Sequence, residues 1–152
     1  MGKEILSNKI AVIGVGNTLR SDDGIGAYIC SKIDEFNFPF VTSIIVQQLQ
    51  VELIEELIHY DSVIIADASV TGNDVDLNSL SFNENQATSS SHHMNANMIN
   101  SLLQKIHGKT ITINLCSVRG ENFELGESLS SSAIANANKA VKIICDFITQ
   151  NS

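Results

Sequence analysis

Positive charge is scarce in this sequence. Nine lysines and arginines stand against 17 aspartates and glutamates among 152 residues, a formal net charge of -8. A nucleic-acid or acidic-membrane partner does not suit that balance; a basic protein surface or peptide suits it better. Paired cysteines are also lacking. Cys30, Cys116 and Cys145 lie far apart and form no CxxC unit, which excludes a disulfide framework and a zinc knuckle and reads as three buried thiols in a reducing compartment. No apolar run approaches a membrane span, and Met1 to Lys9 hold no signal-peptide core, so a cytoplasmic protein is expected. No GxSxG elbow is present, and neither Cys30 nor Cys116 has a histidine nearby in sequence, so a serine or cysteine nucleophile finds no support.

What the chain does contain is alternation. The length is common for one domain, and residues 1–152 read as a single one, with no repeat and no linker. Ile10 to Val15 is a short apolar run, the mark of a strand buried on both faces. Gly24 to Phe36 follows as a helix with Ile25, Ile29, Ile33 and Phe36 inward, and Pro39 marks its end. Thr42 to Val46 is a second strand, Leu49 to Ile58 a helix with Glu52, Glu55 and Glu56 outside, and Ser62 to Ala66 a third strand. Val75 to Phe82 reads as a short, partly exposed strand, and Asn83 to Ser91 as a polar loop. Met94 to Ile106 is a helix with Met98, Ile99, Leu102, Leu103 and Ile106 inward, and Thr110 to Cys116 is a fifth strand. Gly120 to Ser128 is irregular. Ser130 to Ser132 offer an N-cap to a last helix that buries Ile134, Ala137, Val141, Ile144 and Ile148. Strands alternating with helices predict one central sheet between helical layers.

The turn after the first strand carries the most chemistry. Gly14-Val15-Gly16-Asn17-Thr18-Leu19 stops short of a dinucleotide fingerprint, because Leu19 holds the third glycine position. Asp22 and Asp23 follow at once, and a pyrophosphate there would meet two carboxylates. Asp22 suits a helix N-cap, Asp23 favours the helix dipole, and Gly24 and Gly26 let the helix pack closely on the sheet.

A second carboxylate, Asp67, comes where the third apolar strand ends, and ligands of open α/β sheets gather beyond the carboxyl ends of strands. If the first and third strands are parallel neighbours, Asp23 and Asp67 converge. His92 and His93 directly precede a helix, whereas His59 and His107 near helix ends read as surface residues. Two carboxylates and one imidazole suit a borderline divalent ion with positions left open.

Taken together, Gly14-Val-Gly-Asn-Thr-Leu-Arg-Ser-Asp-Asp-Gly-Ile-Gly26, Ile64-Ile-Ala-Asp-Ala68 and Ser90-Ser-His-His-Met94 resemble the hydrogenase maturation endopeptidases. The resemblance runs from the first strand to the last helix. It implies a three-layer α/β/α sandwich around a mostly parallel, mixed five-stranded sheet. It also implies a peptidase that removes the C-terminal extension of a nickel-iron hydrogenase large-subunit precursor once nickel is installed. By motif position Asp23, Asp67 and His92 are the residues that recognise the nickel, which is the substrate's own ion, and they are the candidate catalytic residues. His92 is preferred to His93 because a large apolar residue, Met94, stands two places on. No organic cofactor and a monomer are expected. Three positions depart from the family pattern: Asp23 where Glu is frequent, Asn95 where Pro or Gly is frequent, and Gln47-Gln48 in place of a glycine pair. A non-catalytic divalent-metal-binding or nucleotide-binding α/β module is the alternative.

Overall fold

The computed structural model describes residues 9–80 and 95–151. Strand β1 (Ile10–Val15) is buried along almost its whole length, as a two-faced apolar run requires. A 3-10 turn (Ser21–Gly24) leads into α1 (Ile25–Asp34). Strand β2 (Val41–Val46), a short α2 (Leu53–Leu57), β3 (Ser62–Ser69) and β4 (Val75–Leu80) follow. Beyond them lie α3 (Ala96–His107), β5 (Thr112–Arg119) and α4 (Ser131–Asn151). The strands form one sheet in the order β2-β1-β3-β5-β4. Strands β2, β1, β3 and β5 are mutually parallel and β4 runs antiparallel to β5, the expected mixed five-stranded sheet.

Two apolar layers close over it. Side chains of α1 and α4 pack with Ile10, Val12, Ile64 and Cys116 on one face. Those of α2 and α3 pack with Ala11, Ile13, Val63 and Ile65 on the other. Alternate residues of each strand therefore serve opposite layers, and the architecture is the expected α/β/α sandwich.

Several expected boundaries and faces shift. Leu49 to Glu52 are not helical: the amides of Leu53 and Ile54 bond the carbonyls of Gln50 and Val51, a tight turn, so only Leu53–Leu57 form a helix. Glu52, Glu55 and Glu56 do face solvent. Phe36 is exposed because it lies past the end of α1, stacked on Phe38 at 5.7 Å between ring centroids. Ile106 is exposed because the buried stripe of α3 runs through Ala96, Ile99, Asn100 and Leu103 and leaves the last turn outside. Ile134 is partly exposed because α4 turns Ala133, Ala137 and Ala140 inward instead, and these small residues let α4 lie close to α1. Strand β5 begins two residues later and runs on to Arg119. Cys30 and Cys116 are buried, but Cys145 is only half-buried. His59 is exposed, and His107 Nε2 stands 2.8 Å from Glu55 Oε2, joining α3 to α2 at the surface. No helix among the described residues is long and apolar enough to cross a membrane.

Candidate metal-recognition site

The site begins with a backbone close approach. A Cβ on Gly26 would lie 2.6 Å from the Val15 nitrogen and 2.8 Å from the Ala66 oxygen, so only glycine lets the start of α1 settle on β1 and β3. Gly24 is different: its nearest neighbour would be Thr18 Cα at 3.4 Å, so close packing is the role of Gly26 and not of Gly24. At Gly16 the chain takes φ +141, a conformation closed to ordinary side chains.

The amides of this turn are already engaged. Gly16 donates to the Val46 carbonyl at 3.0 Å, and Arg20 to the Asn17 carbonyl at 3.0 Å. Asn17 donates its N–H to Asp23 Oδ2 at 2.7 Å, and Leu19 to Asn17 Oδ1 at 2.9 Å. A phosphate-binding turn needs its N–H groups free to face the anion. Here they face the protein's own oxygens, which disfavours the nucleotide alternative on geometry.

Asp22 and Asp23 have opposite fates. Asp22 is fully buried and does not cap its own helix. Its Oδ2 accepts the Glu121 N–H at 2.7 Å, the Asn122 N–H at 2.9 Å and the Ser130 hydroxyl at 2.8 Å. Its Oδ1 accepts the Ser130 N–H at 2.7 Å. Burial alone opposes its charge, but these donors more than offset that and hold the carboxyl below the usual carboxylate value. Ser130 in turn caps α4 by accepting the Ala133 N–H at 3.2 Å, the cap read from the sequence. Gly120 completes the clamp, since a Cβ there would lie 2.8 Å from Asp22 Cβ. The neighbouring Ser21 is held at φ 52 by its N–H to the Gly126 carbonyl at 2.7 Å and its hydroxyl to the Glu124 carbonyl at 2.8 Å. Nothing in the local sequence marks Gly120, Glu121, Asn122 or Ser130 as a partner of this turn.

Asp23 is half-buried and turns back over the end of β1. Asp67 lies inside β3, not just beyond it as expected, because β3 continues two residues further to Ser69. Its register partner is Val15, the last residue of β1, so it still stands at the carboxyl rim of the neighbouring strand. It opens to solvent, yet the surrounding protein, and after it the charge of Asp23, push its carboxyl up to about 6, with only the Ala68 N–H pulling the other way. Strands β1 and β3 are thus parallel neighbours, the condition set for the two aspartates to converge, and the charge of Asp23 reaches Asp67. His92 and His93 lie outside the described residues, as does Met94. Among the described residues no group of three histidines, cysteines, aspartates or glutamates stands together. Asn95, the second departure, has a structural use: its side chain accepts the Met98 N–H at 2.9 Å and caps α3.

The thiols are unsuited to nucleophilic work. Burial pushes Cys30 up to about 11, and burial with the charge of Asp76 pushes Cys116 up to about 12, so both stay protonated near neutrality.

No family model matches the sequence, and no curated protein matches it. Solved structures do match. The hydrogenase maturating endopeptidase HybD from E. coli superposes with a TM-score of 0.75 at 22% identity, covering 93% of each chain. The [NiFe] hydrogenase maturation protease HycI from Thermococcus kodakarensis gives 0.69 at 20% identity, again over 93% of each. The hydrogenase 2 maturation peptidase from a Thaumarchaeota archaeon gives 0.66 at 19%, over 92% of this chain and 97% of that one. The chain therefore shares its fold with solved hydrogenase maturation proteases.

Proposed function

We propose that this protein is an endopeptidase that removes the C-terminal extension of a nickel-iron hydrogenase large-subunit precursor after nickel has been inserted. The observation that carries the reading is the pairing of Asp23 with Asp67 at the carboxyl rim of β1 and β3. Two carboxylates held near one another with few hydrogen-bond donors repel; a divalent cation between them turns that repulsion into attraction. The likeness in fold to maturation proteases supports the same reading.

In this reading the cation is the substrate's own nickel. Asp23 offers the carboxylate oxygen not engaged by the Asn17 amide, Asp67 offers a carboxylate whose donor among the described residues is the Ala68 amide, and His92 supplies the imidazole. The three side chains grip the metal-loaded precursor and fix its scissile peptide at the rim. A bound metal can polarise a carbonyl or activate water. Precursor without nickel loses this grip, so cleavage follows metal insertion and serves as a check on it.

Purified protein and a nickel-loaded precursor test the proposal. Asp67→Ala and His92→Ala should each abolish processing with the fold intact by circular dichroism, while His93→Ala should retain it. Full processing by Asp67→Ala, or equal cleavage of nickel-free precursor, would overturn the metal-recognition reading.

A further inference from the structure

The sheet ends on one side at β2, and among the described residues no strand pairs with that edge. Natural edge strands are blunted by charge, proline, bulges or a covering element. The segment Val41-Thr-Ser-Ile-Ile-Val46 carries no charge and no proline, and Ile45 is 53% exposed. The Phe40 carbonyl accepts from Ile10 and the Val46 carbonyl from Gly16. By strand alternation the even-numbered residues thus face β1, and the N–H and C=O groups of Ser43 and Ile45 point away from the sheet. No backbone partner for them is found among the described residues.

A groove of about 670 Å³ runs along this edge. Its floor includes Ser43, Ile44 and Val46, and its far wall carries Glu52 and Glu56. Both glutamates are exposed, and neither forms an ion pair among the described residues. The groove is lined at one point by Val46, whose carbonyl holds Gly16 of the turn that carries Asp23, and also by Gln47, Gln48 and Gln50.

We propose that β2 receives an extended segment of the protein substrate as an added strand, with lysine or arginine side chains of that segment meeting Glu52 and Glu56. The unpaired groups of Ser43 and Ile45 supply main-chain hydrogen bonds, which is how strand addition gains affinity. The glutamates select for positive charge, in keeping with the net charge of -8. A second copy of this chain is a poorer occupant, because it brings the same acidic wall against itself. The inference rests on the peptidase reading for the identity of the segment, but not for the chemistry of the groove.

Two measurements decide it. A peptide of alternating valine and lysine should slow hydrogen exchange at the Ser43 and Ile45 amides of the full chain, and the matched valine–glutamate peptide should not. Equal effects of both peptides, or none from either, would overturn the proposal, as would protection that rises with protein concentration alone, the signature of pairing between copies. In precursor processing, Ile45→Pro removes the outward N–H without touching the ladder to β1 and should raise KM about tenfold, the loss of roughly one strong contact. Ile45→Ala keeps that N–H and should raise KM about twofold or less, and the E52Q/E56Q pair should raise KM and flatten its dependence on salt. Processing with unchanged KM in Ile45→Pro overturns the strand-addition proposal and leaves the peptidase reading standing. Wild-type protein that cuts no precursor sinks the peptidase reading, and the exchange measurement still decides the groove.

Discussion

Adjacent aspartates of one turn sit in opposite electrostatic worlds. Asp22 is sealed from water and accepts from every donor that faces it: three backbone amides and a hydroxyl from residues about a hundred positions away. Asp23 and Asp67, at the rim, face each other's charge with one donor each among the described residues, the Asn17 and Ala68 amides. A carboxylate whose partners are all supplied by the protein has nothing left to offer a ligand and serves the fold. A carboxylate held beside another with few donors costs stability and persists where a cation or substrate makes use of it. On the proposed reading, that difference separates scaffold from site within a single dipeptide.

The sharpest way to break this comparison is at Asp22. Asp22→Ala leaves four donors unsatisfied in a buried place, so unfolding in urea should show a loss of about 3–5 kcal/mol, with Tm falling by roughly 10 °C or more. Asp22→Asn should be nearly as damaging, because every partner is a donor and an amide NH2 has no acceptor to meet there. A loss under about 1 kcal/mol in both variants would show that the clamp is not what holds the 120–130 segment to the turn. A smaller effect is expected one layer out. Gly120→Ala places a Cβ 2.8 Å from Asp22 Cβ and 2.9 Å from Phe123 Cζ; the ring can shift but the buried Asp22 must give as well, so about 1–3 kcal/mol is expected. If Gly120→Ala equals Asp22→Ala, the loop's own conformation, and not the carboxylate, carries the stability.

The sequence makes one half of the comparison legible and hides the other. Ile10 to Val15 and Ser62 to Ala66 are unbroken apolar runs, and such runs leave a parallel sheet as the economical arrangement; their adjacency then places Asp23 near Asp67. Asp22 reads locally as a helix cap, since a cap is what an aspartate before a helix usually is. Its real partners, Glu121, Asn122 and Ser130, lie across a long sequence separation, and nothing in local spacing reports a tertiary hydrogen bond. The same limit explains α2. Leu49, Leu53 and Leu57 recur at helical spacing, yet periodicity shows which side chains face inward, not where the first turn tightens into i to i+3 bonds. Phe36, Ile106 and Ile134 fail for a related reason: they lie at or near helix ends, where a pattern continues but the packing surface does not.

The smallest effect expected is also the one that tests the rim most directly, because it runs opposite in sign to that of Asp22. The Asp67 carboxyl titrates near 6 in the folded protein and near 3.8 when free, so folding takes up a proton between those values. Stability from this group is full below about 3.8 and is lost as pH rises through about 6. Asp67→Asn has no such proton to lose. Relative to wild type, the variant should gain stability steadily as pH is raised from 4 to 7, read as the difference in urea midpoint at each pH. The Asp22 carboxyl, held below its ordinary value, contributes in the other direction: its stabilisation is present above about 3.8 and fades as acid protonates it. A difference between Asp67→Asn and wild type that stays flat from pH 4 to 7 would mean that Asp67 feels neither its surroundings nor Asp23. The two rim carboxylates would then be independent surface groups and not one site.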